Sequence, residues 1–154
     1  MITLREGDKA PRFTGTDQHG NSVSLEDYKG KMLILYFFSE AGSPTCTIES
    51  CNLRDNYASL KKKGFEVVGV SPDDEKAQNR FGTKYKISFP LLADPDNKIT
   101  IAYGVRDMKK LFGREYMGIL RTTFIIDAKG FIRRIFLKPK NKAHAQEIIA
   151  AMLD

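Results

Sequence analysis

An almost unbroken apolar run at residues 31–38, Lys-Met-Leu-Ile-Leu-Tyr-Phe-Phe, constrains the fold more than any other feature of the sequence. The run is too short for an isolated core helix, and Gly30 and Ser39 flank it, so it predicts a buried central strand. Residues 65–70 form a second run of the same kind. Because such strands occur in parallel sheets that helices cover, we expect an α/β fold.

The segment after the first run carries the signals of a helix start. Ser43 belongs to the residue types that cap helices, and Pro44 is favoured at the first helical position. We expect this helix to span residues 44–63, because Gly64 is a typical stop signal. The other predicted elements are a hairpin at residues 13–25, a helix capped by residues 71–74 and ending near 85, a short strand at 89–92, a helix at 94–104, an antiparallel hairpin of residues 122–127 and 131–137, and a helix at 142–153.

This order of elements predicts a mixed central sheet with helices on both faces. Helical crossovers join the first two strands in parallel, and the last two strands form an antiparallel pair. The arrangement is typical of a thioredoxin-like fold, enlarged here by an N-terminal β-hairpin and by the insertion at residues 94–104. With 154 residues, 42% of them hydrophobic, the chain is long enough to bury a core, and we expect residues 1–154 to form a single domain.

The charge distribution does not favour a nucleic-acid partner. The net charge is +6, but the 25 Lys and Arg residues are scattered among 19 acidic ones. The basic cluster at residues 61–63 is interpreted as a helix end whose cations complement the helix dipole. No stretch approaches the roughly 20 apolar residues of a membrane span, and no secretory signal is visible. We therefore expect a cytoplasmic protein that binds neither nucleic acid nor a membrane.

The two cysteines, Cys46 and Cys51, are too few for a disulfide scaffold. Cys46 falls in the first turn of the predicted helix, directly after a central strand, where open α/β sheets place their functional sites. Unpaired backbone N–H groups and the helix dipole lower the pKa of a thiol at such a position, and the thiolate is the nucleophile. Cys46 is therefore expected to be reactive.

The spacing of the two cysteines argues against a bridge within an intact helix. An ideal helix places Cα atoms five residues apart at about 8.6 Å, beyond the limit of about 7 Å for a disulfide. A bridge between Cys46 and Cys51 would need the first turns to unwind. The alternative is a buried thiol that acts as a small apolar residue, above all for Cys51. No metal site is expected, because distant His19, a predicted turn residue, and His144, a predicted surface helix residue, do not complete a usual ligand pattern.

Residues 36–56, Tyr-Phe-Phe-Ser-Glu-Ala-Gly-Ser-Pro-Thr-Cys-Thr-Ile-Glu-Ser-Cys-Asn-Leu-Arg-Asp-Asn, resemble the active-site segment of peroxiredoxins of the bacterioferritin-comigratory or Q type. The resemblance continues at residues 69–73, 89–95, 102–105 and 113–127, so it covers nearly the whole chain. It implies a thiol-dependent peroxidase that reduces hydrogen peroxide and organic hydroperoxides and requires no haem, flavin or metal. It also implies a thioredoxin- or glutaredoxin-like reductant and a monomer or weak homodimer.

The family signature assigns roles to several residues of this sequence. A proline, three residues, a threonine and two residues precede the peroxidatic cysteine, which corresponds to Cys46, and Arg121 matches the distant arginine that would stabilise the thiolate and polarise the peroxide. Ser43 replaces the threonine but keeps a hydroxyl for a peroxide oxygen. Ser39 replaces the proline, which adds freedom and a competing polar group and lowers the expected activity. Thr45 stands where this subgroup usually has glycine, and its backbone N–H would help to hold the peroxide.

Two further residues complete the implied mechanism. Glu49, three residues after Cys46, would orient Arg121, as the matching glutamate of the family does. Attack on peroxide leaves Cys46 as a sulfenic acid, which condenses with a nearby thiol. Cys51 would be this resolving cysteine after unwinding of residues 44–52.

Two other functions stay open at this point. A thiol–disulfide oxidoreductase would have the same fold, but its cysteines are normally separated by two residues rather than by four. A non-catalytic redox sensor or interaction protein would fit if Ser39 records a decayed activity. A peroxide reaction no faster than that of free thiols would favour the second alternative.

Overall fold

The two apolar runs become adjacent parallel strands in the computed structural model, which describes residues 2–152. The strands are β1 (Thr14–Thr16), β2 (Ser22–Ser24), β3 (Met32–Phe37), β4 (Phe65–Ser71), β5 (Leu91–Ala93), β6 (Arg106–Leu111), β7 (Arg114–Ile119), β8 (Thr122–Ile126) and β9 (Ile132–Phe136). The helices are α1 (Pro44–Asp55), α2 (Tyr57–Lys62), α3 (Glu75–Lys84), α4 (Lys98–Ala102) and α5 (His144–Met152), and a short 3-10 helix covers Leu25–Tyr28.

Seven strands form one mixed sheet in the order β2-β1-β5-β4-β3-β8-β9. Strand β3 lies in the interior of this sheet, parallel to β4 on one side and antiparallel to β8 on the other. Strand β5 extends the parallel part, and β9 pairs with β8 as the predicted antiparallel hairpin. The predicted N-terminal hairpin is β1–β2, which adds to β5 at one edge. The expected mixed sheet is therefore confirmed.

Alternate side chains of β3 pack into two apolar layers, one on each face of the sheet, because successive residues of a strand point to opposite faces. Ile34 and Tyr36 pack with side chains of α1, α2, α3 and α5 on one face. Leu35 and Phe37 pack on the other face with the N-terminal segment and with Ile99 of α4. Helices therefore cover both faces, which explains why residues 32–38 are all apolar.

The helix predicted over residues 44–63 is divided at Asn56. The Asn56 side-chain amide donates to the carbonyl oxygen of Asn52 at 2.8 Å, and its backbone has φ −104° and ψ 4°. A side chain that bonds to the local backbone competes with the regular helix. The result is α1 followed directly by α2, so the region of the two cysteines forms a separate short helix.

Three other predicted boundaries move by a few residues. Strand β5 begins after Pro90, which lacks the N–H group that a ladder requires. Helix α4 begins at Lys98, and the Asp94 carboxylate accepts hydrogen bonds from the N–H groups of Ile99 and Thr100 at 3.1 and 2.9 Å. Helix α5 begins at His144, and residue 153 of its predicted end lies outside the described residues.

Strands β6 and β7 form a separate two-stranded hairpin that the sequence patterns did not predict. We call this hairpin the arm. Its strands are rich in charged residues and carry no clear apolar alternation. Its two-residue turn has positive φ angles at Phe112 and Gly113, of 51° and 77°, as the favoured hairpin turns require. Phe112 is 95% exposed at the tip. Among residues 2–152, no helix has the length and apolar composition needed to span a bilayer.

Candidate active site

Cys46 lies in the first turn of α1, beyond the end of β3, as predicted. Pro44 is the first helical residue, and Ser43 before it has the extended backbone of an N-cap, with φ −65° and ψ 147°. The first helical hydrogen bond runs from Thr47 N–H to Ser43 O at 2.9 Å, so the N–H groups of the first turn have no intrahelical acceptor. Cys46 is only 1% exposed and packs with Tyr36 and other buried side chains.

The Ser39 hydroxyl group lies beside the Cys46 sulfur. Its Oγ lies 3.5 Å from Cys46 Sγ, within the range of a hydrogen bond to sulfur. A hydroxyl at this position can donate to a thiolate, and it competes with a peroxide for the same sulfur. The serine that replaces the expected proline is therefore in direct contact with the Cys46 sulfur.

Ser43 and Thr45 occupy the edge of the site. The Ser43 hydroxyl donates to the carbonyl oxygen of Glu40 at 3.2 Å and makes no side-chain cap of α1. The predicted capping bond, in which the hydroxyl oxygen would accept from a backbone N–H of α1, is therefore absent. A peroxide contact with this hydroxyl would require it to rotate or to act as an acceptor. Thr45 is exposed in the first turn of α1.

The structure brings Glu49 and Arg121 together, although 71 residues separate them. Glu49 lies one turn after Cys46 on the buried side of α1, and Arg121 directly precedes β8. Arg121 Nη2 lies 3.4 Å from Glu49 Oε1, and the same group donates a hydrogen bond to Asn141 Oδ1. The Arg121 side chain is 21% exposed, whereas that of Glu49 is fully buried. The arginine is thus held beside the helix face that carries Cys46.

Glu49 is an unusual carboxyl group because it is buried and poorly bonded. Within the described residues, neither of its oxygens accepts an aligned hydrogen bond, so its contact with Arg121 is an ion pair. Burial raises the pKa of Glu49 to about 7, although the Arg121 charge opposes this shift and the Glu147 charge adds to it. The carboxyl group therefore changes charge near neutral pH.

His144 is buried, and the prediction of a surface residue is wrong. It is 0% exposed and begins α5 against the sheet. Its Nε2 lies 2.8 Å from Thr123 Oγ1 and 3.9 Å from Glu49 Oε2. The sequence contains one signal for this burial, since His144 and Ile148 lie four residues apart on the same buried side of α5. His19, by contrast, is an exposed turn residue as predicted.

Cys51 is partly exposed near the middle of α1, and both thiols are free. Partial burial raises the pKa of the Cys51 thiol, and the charge of Arg54 opposes this effect. Since Cys46 and Cys51 lie in one continuous helix, the structure represents the dithiol form. Any bridge between them requires α1 to unwind.

A groove next to Ser39 was not predicted from the sequence, because the arm forms one of its walls. Its volume is about 360 Å³, and Ser39 and Pro72 line one side. Arg106, Tyr116 and Met117 of the arm line the other side. A molecule in this groove would lie against the residue that contacts the Cys46 sulfur.

Comparison with known proteins agrees with the predicted resemblance. The model of the AhpC/TSA family matches residues 6–135. Peroxiredoxin Bcp of Bacillus subtilis is 39% identical over 153 residues, which cover 99% of this chain and 98% of the relative. Peroxiredoxin Bcp of Escherichia coli is 39% identical over 149 residues, which cover 97% and 96%.

A solved structure extends the comparison to the fold. The bacterioferritin comigratory protein of Xanthomonas campestris has a TM-score of 0.85 and 26% sequence identity, with 98% of this chain and 96% of that chain covered. The family match, the near-complete relatives and the shared fold agree: the chain belongs to the AhpC/TSA family, as a peroxiredoxin of the bacterioferritin-comigratory or Q type.

Proposed function

We propose that this protein is a thiol-dependent peroxidase in which Cys46 reduces hydrogen peroxide and organic hydroperoxides. The observation that carries the proposal is the position of Cys46 in the first turn of α1, one turn before the buried Glu49 that contacts Arg121. Membership of the peroxiredoxin family supports the reaction class. The similar X. campestris protein has alkyl peroxide reduction activity, and the groove beside Ser39 has room for an organic group.

In the first step, the Cys46 thiolate attacks one oxygen of the peroxide. A sulfur–oxygen bond forms, the oxygen–oxygen bond breaks, and the leaving oxygen takes up a proton as water or an alcohol. Arg121 carries a permanent positive charge that stabilises the negative charge on the leaving oxygen. The N–H groups of Thr45 and Cys46, which have no intrahelical acceptor, are further donors for the peroxide oxygens.

In the second step, the Cys46 sulfenic acid reacts with the Cys51 thiol. A disulfide forms and one water molecule leaves. The packing of α1 supports the required unwinding of residues 44–52. The buried residues of α1 are Cys46, Glu49, Ser50 and Leu53, so the only large apolar anchor lies beyond the segment that must move. A thioredoxin- or glutaredoxin-like dithiol protein would then return two electrons and restore both thiols.

The test is stopped-flow consumption of hydrogen peroxide by the reduced protein, with product masses measured in parallel. The native sequence is compared with Cys46→Ser and Cys51→Ser. Cys46→Ser should abolish rapid consumption. Cys51→Ser should keep the first turnover but lose the intramolecular disulfide, and it therefore serves as the matched control. Slow consumption by all three proteins would instead favour a redox sensor or interaction protein.

A single-domain monomer is proposed as the working form. The family model and the relatives span most of the chain, which supports one domain. Sedimentation velocity of the reduced and oxidised protein would distinguish a monomer from a weak homodimer.

A further inference from the structure

Within residues 2–152, the Arg121 guanidinium contacts two side chains, and the Glu49 carboxyl group is only one of them. The second contact is the hydrogen bond from Arg121 Nη2 to the side-chain oxygen of Asn141. Asn141 lies in the loop between β9 and α5, on a part of the chain remote in sequence from α1. Asn141 cannot titrate, so its contact with the guanidinium persists when Glu49 becomes neutral.

The loop that carries Asn141 is itself anchored by Glu147. The Glu147 Oε1 atom accepts a hydrogen bond from the Lys140 N–H at 2.7 Å. The same oxygen lies 2.7 Å from His144 Nδ1. The residue immediately before Asn141 is therefore tied to α5 through its backbone, and Glu147 is tied to the buried His144.

His144 links this anchor to the strand that follows Arg121. Because a carboxylate only accepts hydrogen bonds, His144 Nδ1 carries the proton toward Glu147, and Nε2 accepts from the Thr123 hydroxyl at 2.8 Å. Burial lowers the pKa of His144 even though the charge of Glu147 opposes this shift, which agrees with a neutral ring. The Phe136 ring packs edge-on against it at 5.6 Å. Contacts with Thr123, Glu147 and Phe136 therefore fix the orientation of the histidine ring.

We propose that Asn141 is a positioning residue for Arg121, and that the pair formed by the buried His144 and the partly exposed Glu147 holds Asn141 in place. This inference rests on the proposed peroxidase function of the site. Loss of the Asn141 oxygen leaves Glu49 as the remaining side-chain partner of Arg121 among the described residues, so the guanidinium samples positions away from the peroxide. The second-order rate constant should fall about tenfold, less than the roughly 10²- to 10³-fold that follows loss of a stabilising donor itself.

The proposal predicts a specific pH dependence. The charged and titratable groups that act on Glu49 within the described residues include Arg121, His144, Glu147 and the buried Tyr36 of β3. Since burial raises the pKa of Glu49 to about 7, its ion pair with Arg121 weakens as the pH falls through that value. At lower pH, the position of the Arg121 guanidinium therefore depends more strongly on its hydrogen bond to Asn141. The ratio of native to Asn141→Leu rates should therefore increase from about pH 8 to about pH 6, a trend that a general loss of stability would not produce.

The experiment compares Asn141→Leu with two controls in the full chain. Asn141→Asp keeps an acceptor oxygen and should retain the Arg121 contact. Lys142→Leu changes an exposed neighbour in the same loop, which accepts a hydrogen bond from Asn52 through its backbone oxygen, and it should leave both the rate and the pH trend unchanged. Thermal unfolding of each variant checks that the fold is intact.

A second readout does not depend on activity. The heteronuclear NOE of the Arg121 Nε–Hε group should fall in Asn141→Leu and in His144→Gln, and it should stay near the native value in Lys142→Leu. An unchanged NOE with an unchanged rate overturns the inference, even if Cys46→Ser abolishes peroxide consumption. If the native protein is inactive toward peroxide, a lowered NOE still establishes the support of Arg121 and only the proposed function fails.

Discussion

Replacement of the buried Glu49 by glutamine should make the protein more stable at alkaline pH and less active. In the folded protein the pKa of Glu49 is raised from 4.5 to about 7 because burial disfavours its charge. Between these values the folded state holds a proton that the unfolded chain has released. The stability contributed by this group therefore falls as the pH rises from 4.5 to about 7, and the full loss is present above that range.

The size of the effect follows from the shift of the pKa. It corresponds to about 3 kcal/mol in the free energy of unfolding, and Glu49 is fully buried, so solvent does not screen it. Glu49→Gln has no charge to desolvate. Its free energy of unfolding relative to the native protein should therefore increase by about 3 kcal/mol between pH values near 4.5 and near 8.

Urea unfolding of the reduced proteins at these two pH values provides the measurement. Glu6→Gln, which changes an exposed glutamate, is the matched control, and its difference from the native protein should be the same at both pH values. The peroxide rate of Glu49→Gln should fall, because Arg121 loses its ionic partner. If the difference between Glu49→Gln and the native protein is equal at both pH values, the desolvation argument is wrong.

Three other substitutions test separate parts of the site. Ser39→Pro removes the hydroxyl 3.5 Å from the Cys46 sulfur and stiffens the backbone, so stopped-flow should show a peroxide rate several-fold higher; a lower rate would mean that the hydroxyl assists the reaction. Asn52→Leu removes the bonds that tie α1 to Ala145 N–H and Lys142 O, each worth about 1 kcal/mol. Disulfide formation should accelerate about tenfold or more, with less sulfinic acid by mass spectrometry, and an unchanged rate would show that these bonds do not restrain unwinding. Gly69→Ala places a Cβ atom 2.8 Å from the Tyr36 ring, so the protein should lose about 1–3 kcal/mol of stability, and an unchanged melting temperature would contradict this packing.

Some parts of the fold follow from short stretches of sequence. The run at residues 31–38 is apolar at every position that the sheet buries, so its pattern alone predicts β3. The start of α1 is encoded by Ser43 and Pro44, whose backbone preferences act locally. The position of Cys46 relative to this start was therefore predictable.

Other parts depend on contacts that no local pattern contains. The arm is held by cross-strand pairing of charged strands, and charged residues carry no signal that distinguishes a hairpin from a loop. The division of the long helix results from the hydrogen bond between the Asn56 side chain and Asn52 O. The surrounding residues favour a helix throughout, so the sequence pattern did not predict this interruption.

The active site also combines features that local sequence encodes with features that only tertiary packing decides. Local sequence patterns were enough to specify a central strand and a helix with a cysteine in its first turn, whereas the residues assigned to peroxide chemistry followed from the resemblance to the family. The packing of the folded chain was needed to establish that Arg121 meets both Glu49 and Asn141, and that His144 lies inside the protein. Burial and side-chain contact depend on how distant segments pack, whereas strand and helix preferences act over a few neighbouring residues.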